Sequence, residues 1–453
     1  MKHKWPVELL LGLVVAGCNL ALGQSSYEPA TAQSQPADEF AKLRIERASN
    51  LRDKNIDAAM AGYAPDVEFV DPGHDVHGIA ELRKLYETMT TTMDSDLVFR
   101  SAKVEVTGRT AKDSGKYNET LVLRQSAKRM YISGTYETSY IRGNDGAWLI
   151  AKMVWTMDGS GTPQVYPAFD PHPVVALTFD DLPAAGILPA ADKRSRIATA
   201  IARELKANHL EGTYGFVNAS KMENDPDAQQ AMHIWLDAGM NVGSHTWSHM
   251  SLTQNTAAAF EEDVAKNEPA LAEFGQTRDW HWFRYPFLWE GDTLEKRRAV
   301  RGYLKEHGYR IAQVTLDFED YAWNNAYTRC SAKQDGTAIA WLKQSYLEAA
   351  REYITLGREE QQIAFGHEIP NVLLLHETAF TTLMLPDLLE LLRGEGFTFA
   401  ALADVERDPA FALDPDAALR YGGTLPDQFM DSRKLAYPPF TPKPFEKMES
   451  LCK

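Results

Sequence analysis

The sequence has few cysteines, a deficit of positive charge and no hydrophobic run long enough to span a membrane. Only three of its 453 residues are cysteine, which argues against a disulfide framework and against a cysteine-based metal site. Lysine and arginine number 47 against 63 aspartates and glutamates, so the formal net charge is −16. Sequence-independent binding to nucleic acid needs positive charge to displace phosphate counterions. We therefore expect no nucleic-acid partner.

The apolar run at residues 9–16 follows two lysines and ends in small residues. It is too short for a transmembrane helix and predicts a signal peptide over residues 1–23. Its end, Val15-Ala16-Gly17-Cys18, resembles a bacterial lipoprotein signal in which Cys18 is lipidated, and ordinary cleavage after Gly23 is the alternative. We expect an exported bacterial protein, either periplasmic or a lipoprotein that touches the membrane only through its lipid anchor. The spacing of Cys330 and Cys452 leaves open whether they pair.

Residues 24–36 are polar and predict a linker, and residues 37–157 predict an α+β domain with helices first and antiparallel strands after them. The stretch YAPDVEFVDPG and the closing YETSYIRGNDGAWLIAKM resemble the SnoaL-like family, also called nuclear-transport-factor-2-like. The resemblance implies a cone-shaped fold with a pocket. It also implies a homodimer, because such domains often pair through their sheets.

A second linker is predicted at 158–173, followed by a domain over 174–407 and a proline-containing tail over 408–453. In this domain seven strand candidates alternate with helices, which is typical of a parallel (β/α) barrel. A regular barrel has eight strands, so we predict a distorted one. Two helical stretches are predicted within 336–357.

Functional side chains of a (β/α) barrel gather at the C-terminal ends of its strands. Five of the predicted strands end in candidate acids, bases or ligands. These are Asp180 and Asp181, His245 and His249, Arg284, Asp317 and Asp320, and His376.

Two histidines four residues apart and one carboxylate can form a three-ligand site that leaves a position open for water, as in catalytic metal centres. A divalent cation also relieves the repulsion between Asp180 and Asp181, since one can ligate it while the other stays ionised in its field. The residues alone do not decide which aspartate does which. Zinc is the expected cation, with cobalt or another divalent ion as the alternative.

Five short motifs resemble the NodB-type polysaccharide deacetylases of carbohydrate esterase family four over about 174–405. They are TFDD at 178–181, HTxxH at 245–249, RxPF at 284–287, DxxD at 317–320 and LxH at 374–376. The resemblance implies that Asp180 is the catalytic base and that Asp181, His245 and His249 bind the metal. It further implies that Arg284 orients the base, that His376 is the acid and that Asp317 tunes this histidine.

These roles imply hydrolytic removal of an N-acetyl group from a glycan such as peptidoglycan, a chitin-like oligomer or poly-N-acetylglucosamine. Two alternatives remain open: an amidase or acetyl esterase for small substrates, and a non-catalytic glycan-binding or scaffold protein. Tyr321 and Leu288 stand where the family tends to have tryptophan and glycine. These two departures concern the shape of the sugar groove.

Other residues are weaker candidates. His74 and His77 imitate a ligand pair in a glycine-flanked loop, and His367 fits a solvated loop. Cys330 is better interpreted as a small buried apolar residue than as a ligand. Four tryptophans near the motifs are candidates either for stacking on sugar rings or for core packing: Trp247, Trp282, Trp289 and Trp323.

Overall fold

The computed structural model describes residues 35–159, 163–275 and 278–453. The predicted signal peptide, with Cys18, and residues 24–34 of the first predicted linker lie outside the described residues. The chain forms two compact units. The first extends to Ala168 and includes Ala436–Pro439, and the second comprises Phe169–Leu435 and Phe440–Lys453.

The first unit packs three helices against a seven-stranded sheet in the order β2-β1-β6-β5-β4-β3, with β7 paired to β5. Neighbouring strands are antiparallel except β1 and β6. The core between helices and sheet contains Phe40, Val67, Leu82 and Met153, all fully buried. This is the predicted α+β arrangement. Its elements are α1 (Gln35–Arg52), α2 (Ile56–Ala61), β1 (Tyr63–Val70), β2 (Asp75–His77), α3 (Ile79–Thr92), β3 (Met93–Thr107), β4 (Thr110–Leu123), β5 (Arg129–Arg142), β6 (Trp148–Trp155) and β7 (Val165–Tyr166).

The second unit is built on a curled parallel sheet in the order β12-β11-β10-β9-β8-β13, and β14 pairs with the start of β8. Leu316, downstream of β12, bridges to Leu373 of β13, so the two outer strands of the sheet are brought together. The predicted seven-stranded, distorted barrel is confirmed. Its strands are β8 (Val174–Leu182), β9 (Tyr214–Val217), β10 (Asn241–Ser244), β11 (Trp282–Phe283), β12 (Arg310–Ile311), β13 (Asn371–His376) and β14 (Thr398–Phe399).

Several helices of this unit begin at side chains that accept from their first-turn N–H groups, such as Asp225, Thr256 and Thr293. Where two stretches were predicted within 336–357, one helix runs from Gly336 to Phe365. The helices are α4 (Arg194–Ala207), α5 (Pro226–Asp237), α6 (Ala257–Phe274), α7 (Leu294–Glu306), α8 (Ala322–Ala332), α9 (Gly336–Phe365), α10 (Ala379–Gly394), α11 (Leu402–Val405), α12 (Leu425–Arg433) and α13 (Phe445–Ser450). Among the described helices, none combines the length and apolar character needed to cross a membrane.

Strand β8 shows how the sheet positions the site. Val175, Leu177 and Phe179 belong to the large core that the helices share. Alternate residues point to the opposite face of a strand, so Ala176 packs in a separate core with residues of β9 and β11. Asp180 has the same parity as Ala176 and therefore ends the strand on the inner face of the curled sheet.

Candidate active site

Asp180 and Asp181 lie where β8 departs from regular strand geometry. The pairing of β8 with β9 is interrupted between Phe179 and Leu182, and Asp181 has a φ of 70°. A bulge of this kind redirects side chains and is common beside active sites. Asp180 is 2 % exposed, whereas Asp181 is half-buried. The irregularity explains how two neighbouring carboxylates can serve one site despite the alternation of a strand.

His245 and His249 follow β10 and approach these carboxylates. His245 Nδ1 donates to the carbonyl oxygen of Arg284 (2.8 Å), so its Nε2 keeps a free lone pair. That Nε2 lies 3.7 Å from Asp180 Oδ2, and His249 Nε2 lies 3.5 Å from Asp181 Oδ1. The two imidazole centres are 4.9 Å apart. Both histidines therefore face the aspartate pair.

Asp181, His245 and His249 form a donor set that fits a divalent cation. Their ligand atoms lie within 4.8 Å of one another, and no other group of three or more His, Cys, Asp or Glu residues in the described part of the chain does so. Burial and the neighbouring imidazole hold the pKa of His245 well below its usual value, and burial lowers the pKa of His249. Neutral imidazoles and an ionised carboxylate are the protonation states that bind metal.

Burial alone would raise the pKa of Asp181, but it is outweighed, chiefly by the positive charge of Lys221, and that pKa is held well below its usual range. Asp180 behaves in the opposite way. Burial raises the pKa of Asp180 to about 6, although Arg284 opposes the rise. Asp181 is therefore ionised throughout the neutral range, and Asp180 is a carboxylate that can accept a proton near pH 6.

Arg284 binds the carboxylate of Asp180 through its guanidinium group. It follows β11, is 1 % exposed and donates through Nη1 to Asp180 Oδ1 (3.1 Å). Its Nη2 donates to Thr178 Oγ1 (3.2 Å) and its Nε to the carbonyl oxygen of Ala312 (2.7 Å). The two acceptors on Thr178 and Ala312 orient the guanidinium, so it fixes the Asp180 carboxylate in turn. This contact is the one that the sequence analysis assigned to Arg284.

His376 is the last residue of β13, and the register places it opposite Asp180 of β8. Its Nδ1–H donates to Asp320 Oδ1 (2.7 Å), and its backbone N–H donates to Asp320 Oδ2 (3.0 Å). Burial opposes protonation, but Asp320 outweighs it and raises the pKa of His376 to about 9. The imidazole therefore carries a proton at neutral pH. Its Nε2 is the nitrogen that Asp320 leaves free.

The resemblance implies that Asp317 tunes His376, but in the structure it is Asp320 that hydrogen-bonds to this histidine. Asp317 Oδ1 instead accepts the backbone N–H of Glu319 (2.7 Å), which shapes the loop between the two aspartates. Burial, followed by Glu319, raises the pKa of Asp317 to about 6. Both aspartates belong to the same four-residue motif, and its spacing does not show which carboxylate turns toward the histidine.

Two charged residues beside the site were missed. Lys221 Nζ lies 3.2 Å from Asp181 Oδ1 and donates to the carbonyl oxygen of Asp181 (2.7 Å). Glu377 is 1 % exposed, accepts from the Ala184 N–H (2.9 Å), and its pKa is raised by burial to about 7. The position of Glu377 directly after His376 could have singled it out. Nothing in the sequence around Lys221 did so.

Several weaker candidates lie apart from the donor set. His74 and His77 pair with Asp71 and Asp75 in the first unit, and His367 is exposed. Three of the four tryptophans, at 282, 289 and 323, are buried, which favours core packing for them. The exposed rings beside the site are instead those of Phe287 and Tyr321. The ring centre of Phe287 lies 4.4 Å from that of His249, and the ring centre of Tyr321 lies 4.8 Å from that of His376.

The geometry brings together a donor set that could hold a divalent cation, a buried carboxylate and a protonated imidazole on one rim of a curled sheet. The family model for polysaccharide deacetylases matches residues 169–312. These residues thus match the polysaccharide deacetylase family that the motifs predicted.

Two curated relatives match part of the chain. The peptidoglycan-N-acetylglucosamine deacetylase PgdA of Listeria monocytogenes serotype 1/2a is 27% identical over 152 residues, which cover 34% of this chain and 28% of the relative. A chitin deacetylase of Arthroderma benhamiae is 27% identical over 147 residues, 32% of this chain and 35% of the relative. The chain thus spans about a third or less of the length of these relatives.

Solved structures resemble each unit separately. A family 4 carbohydrate esterase from Streptomyces lividans is 21% identical and covers 50% of this chain and 92% of its own, with a TM-score of 0.33. A nuclear transport factor 2-like protein from Salmonella enterica serovar Typhimurium is 16% identical and covers 29% of this chain and 98% of its own, with a TM-score of 0.27.

Proposed function

We propose that the chain is a metal-dependent hydrolase that removes N-acetyl groups from a glycan built of N-acetylated amino sugars. The observation that carries the proposal is the placement of Asp180 and His376 at paired positions of neighbouring strands, next to the donor set of Asp181, His245 and His249. A base, an acid and a cation site on one rim are what amide hydrolysis requires. Binding alone would need none of them.

The residues divide the reaction between them. Asp180, held by Arg284, takes a proton from the attacking water. His376 donates its Nε2 proton to the amine nitrogen as the carbon–nitrogen bond breaks, so that acetate and a free amino sugar result. Asp181, His245 and His249 would hold zinc, which polarises the acetamide carbonyl and makes water more acidic when bound.

The substrate class is supported by the relatives, whose names are those of a peptidoglycan-N-acetylglucosamine deacetylase and a chitin deacetylase. Both glycans contain N-acetylglucosamine. The exposed rings of Phe287 and Tyr321 beside the site suit stacking on a pyranose. We therefore propose an oligomer that contains N-acetylglucosamine as the substrate.

Acetate release from N-acetylglucosamine oligomers tests the proposal. The full chain loaded with zinc is expected to release acetate, and Asp180→Asn is expected to lose at least about 100-fold in kcat while retaining its zinc. Asp181→Asn is the matched control, since it removes a ligand and is expected to lose the zinc itself.

Two results would contradict the proposal. If Asp180→Asn kept the wild-type kcat, Asp180 could not be the catalytic base. Turnover of small acetamides or acetyl esters, with no glycan deacetylated, would favour the small-substrate alternative.

We also propose that the enzyme works outside the cytoplasm, as its N-terminal sequence predicts. The disulfide between Cys330 and Cys452 supports this, because such bonds persist in oxidising compartments. Thiol counting on protein from the native host tests it, and two free thiols at these positions would contradict it.

A further inference from the structure

The C-terminal segment, residues 440–453, is fixed to helices α8 and α9. A disulfide joins Cys452 to Cys330 of α8. Arg329, also on α8, donates through Nη2 to the carbonyl oxygen of Met448 (2.7 Å), whose side chain is buried in the large core. Lys447 Nζ lies 4.0 Å from the centre of a Trp341 ring on α9. The segment is thus anchored along its length.

Lys443 lies near the start of this segment and points toward the rim of the candidate active site. Its Nζ is 2.9 Å from Glu319 Oε2 and 3.7 Å from the ring centre of Tyr353 on α9. Its side chain is only 7 % exposed, whereas that of Glu319 is 37 % exposed. An ammonium group that is withdrawn from water in this way is held by its carboxylate and its aromatic neighbour.

Glu319 is the central charged residue of the loop that connects Asp317 to Asp320. It has a φ of 58°, a conformation that non-glycine residues adopt only when their surroundings impose it. Its N–H donates to Asp317 Oδ1 (2.7 Å), and its carbonyl oxygen accepts from the Ala322 N–H (3.0 Å). The next residue, Asp320, makes both hydrogen bonds to His376. The backbone at Glu319 therefore sets the position of Asp320.

The loop needs a positive partner because it brings two carboxylates together. Asp317 is half-buried, and Glu319 is the charge that most disfavours its ionisation, while Lys443 favours it. Without the lysine, the repulsion between the two side chains would act directly on the strained residue between the two aspartates.

We propose that Lys443 is a positioning residue for the deacetylation reaction, acting through Glu319 to hold the loop that presents Asp320 to His376. This inference rests on the proposed function for its kinetic consequence. Because Lys443 lies far from the five motifs in sequence, the motifs gave no indication of this role. The nearly buried side chain of Lys443 leaves little surface for substrate, so its influence falls on the acid and not on substrate binding.

The kinetic test compares Lys443→Met, Lys443→Arg and Lys447→Met in the zinc-loaded full chain with N-acetylglucosamine oligomers. Lys443→Met is expected to lower kcat about 10-fold with KM unchanged, because a small misplacement of a catalytic group costs rate without costing binding. Lys443→Arg keeps the positive charge and is expected to retain most of the wild-type kcat. Lys447→Met removes a lysine from the same segment and is expected to match the wild type. When Glu319→Gln is already present, Lys443→Met is expected to cause no further decrease in kcat.

A spectroscopic test does not depend on turnover. The Nδ1 proton of His376 is expected to give a downfield ¹H NMR resonance through its bond to Asp320, identified by its loss in Asp320→Asn. Lys443→Met is expected to shift or abolish this resonance, and Lys447→Met to leave it unchanged. An unchanged resonance in Lys443→Met overturns the inference, as does an equal loss of kcat in both lysine variants. Failure of the wild type to release acetate would count against the proposed function alone.

Discussion

Asp180 and Asp181 are neighbours in sequence, yet the structure gives their carboxyl groups opposite acid–base character. Burial raises the pKa of Asp180 to about 6, whereas the charges around Asp181 hold its pKa far below that value. A group that must exchange a proton needs a pKa near the working pH, and a metal ligand needs to stay ionised. This difference favours the proposed roles of Asp180 as the base and Asp181 as the ligand, on physical grounds that adjacency alone did not provide.

The pairing of His376 with Asp320 predicts a shift in pH dependence. The acid works only when protonated, so activity is expected to fall as the pH rises through the His376 pKa of about 9. Asp320→Asn removes the charge that raises this pKa, so the fall is expected at a lower pH. The value of kcat is expected to drop about 100-fold. A pH–rate profile of acetate release measures both effects.

Asp317→Asn is the control for this pair, because Asp317 hydrogen-bonds to the backbone of Glu319. It is expected to leave the alkaline limb of the profile closer to the wild-type position than Asp320→Asn does. If Asp317→Asn moved the limb further, the role assigned from the sequence would be restored.

At the scale of residues, the sequence predicts which side chains gather at the site better than it predicts which of them contact one another. Asp180, Asp181, His245, His249 and His376 follow predicted strands, so their convergence follows from the topology. The choice between Asp317 and Asp320 depends on a loop with one left-handed residue, which no periodicity reveals. Lys221 and Lys443 approach from segments outside the motifs, and their contacts depend on tertiary packing.

At the scale of elements, short strands place the site. Strands β10 and β11 contribute only four and two residues, yet His245 and Arg284 directly follow them. Their spacing depends on close packing at Gly243. A Cβ atom there would lie 2.7 Å from a ring carbon of Phe216 and 2.7 Å from the carbonyl oxygen of Trp282. The glycine therefore permits an approach that a side chain would prevent.

Gly243→Ala is expected to lower the free energy of unfolding by about 1–3 kcal/mol, because the added methyl group has no space. It is also expected to weaken zinc binding, since His245 directly follows β10. Urea denaturation and a zinc titration measure the two effects.

The control is Gly302→Ala on α7, where nothing lies within 4 Å of an added Cβ. It is expected to raise the free energy of unfolding by about 0.5–1 kcal/mol through helix propensity, without changing zinc affinity. Equal effects of the two substitutions would contradict the packing argument.

Helix α9 shows where periodicity was insufficient. The sequence predicts two helical stretches within 336–357, but one helix of 30 residues extends to Phe365. Its last turns bury charged and polar residues, among them Arg358, Glu360 and Gln362. Arg358 donates to Glu368 Oε2 (2.6 Å), so this buried guanidinium has a charged partner. Tertiary contacts of this kind override an amphipathic pattern.

At the scale of the whole molecule, the Cys330–Cys452 disulfide closes a loop with a sequence separation of 122 residues. Long loops gain the most from a covalent link, because the unfolded chain loses more freedom. Cysteine count alone could not decide whether these two residues pair. The two cysteines are brought together by the packing of α13 against α8, which the sequence did not predict.

Reduction of this disulfide is expected to lower the free energy of unfolding by about 2–4 kcal/mol. Guanidinium denaturation with and without dithiothreitol measures the change. The double variant Cys330→Ser/Cys452→Ser is expected to reproduce the reduced state and to lose its response to the reductant. A wild-type midpoint that does not respond to dithiothreitol would contradict the prediction.

The register between β8 and β13 has a consequence for how such an enzyme can diversify. Asp180 and His376 are far apart in the chain, yet their separation is set by backbone hydrogen bonds between two adjacent strands. The intervening connections can lengthen, shorten or be exchanged without altering that separation. Connections that carry no site residue are therefore the places where this scaffold would tolerate loop grafting.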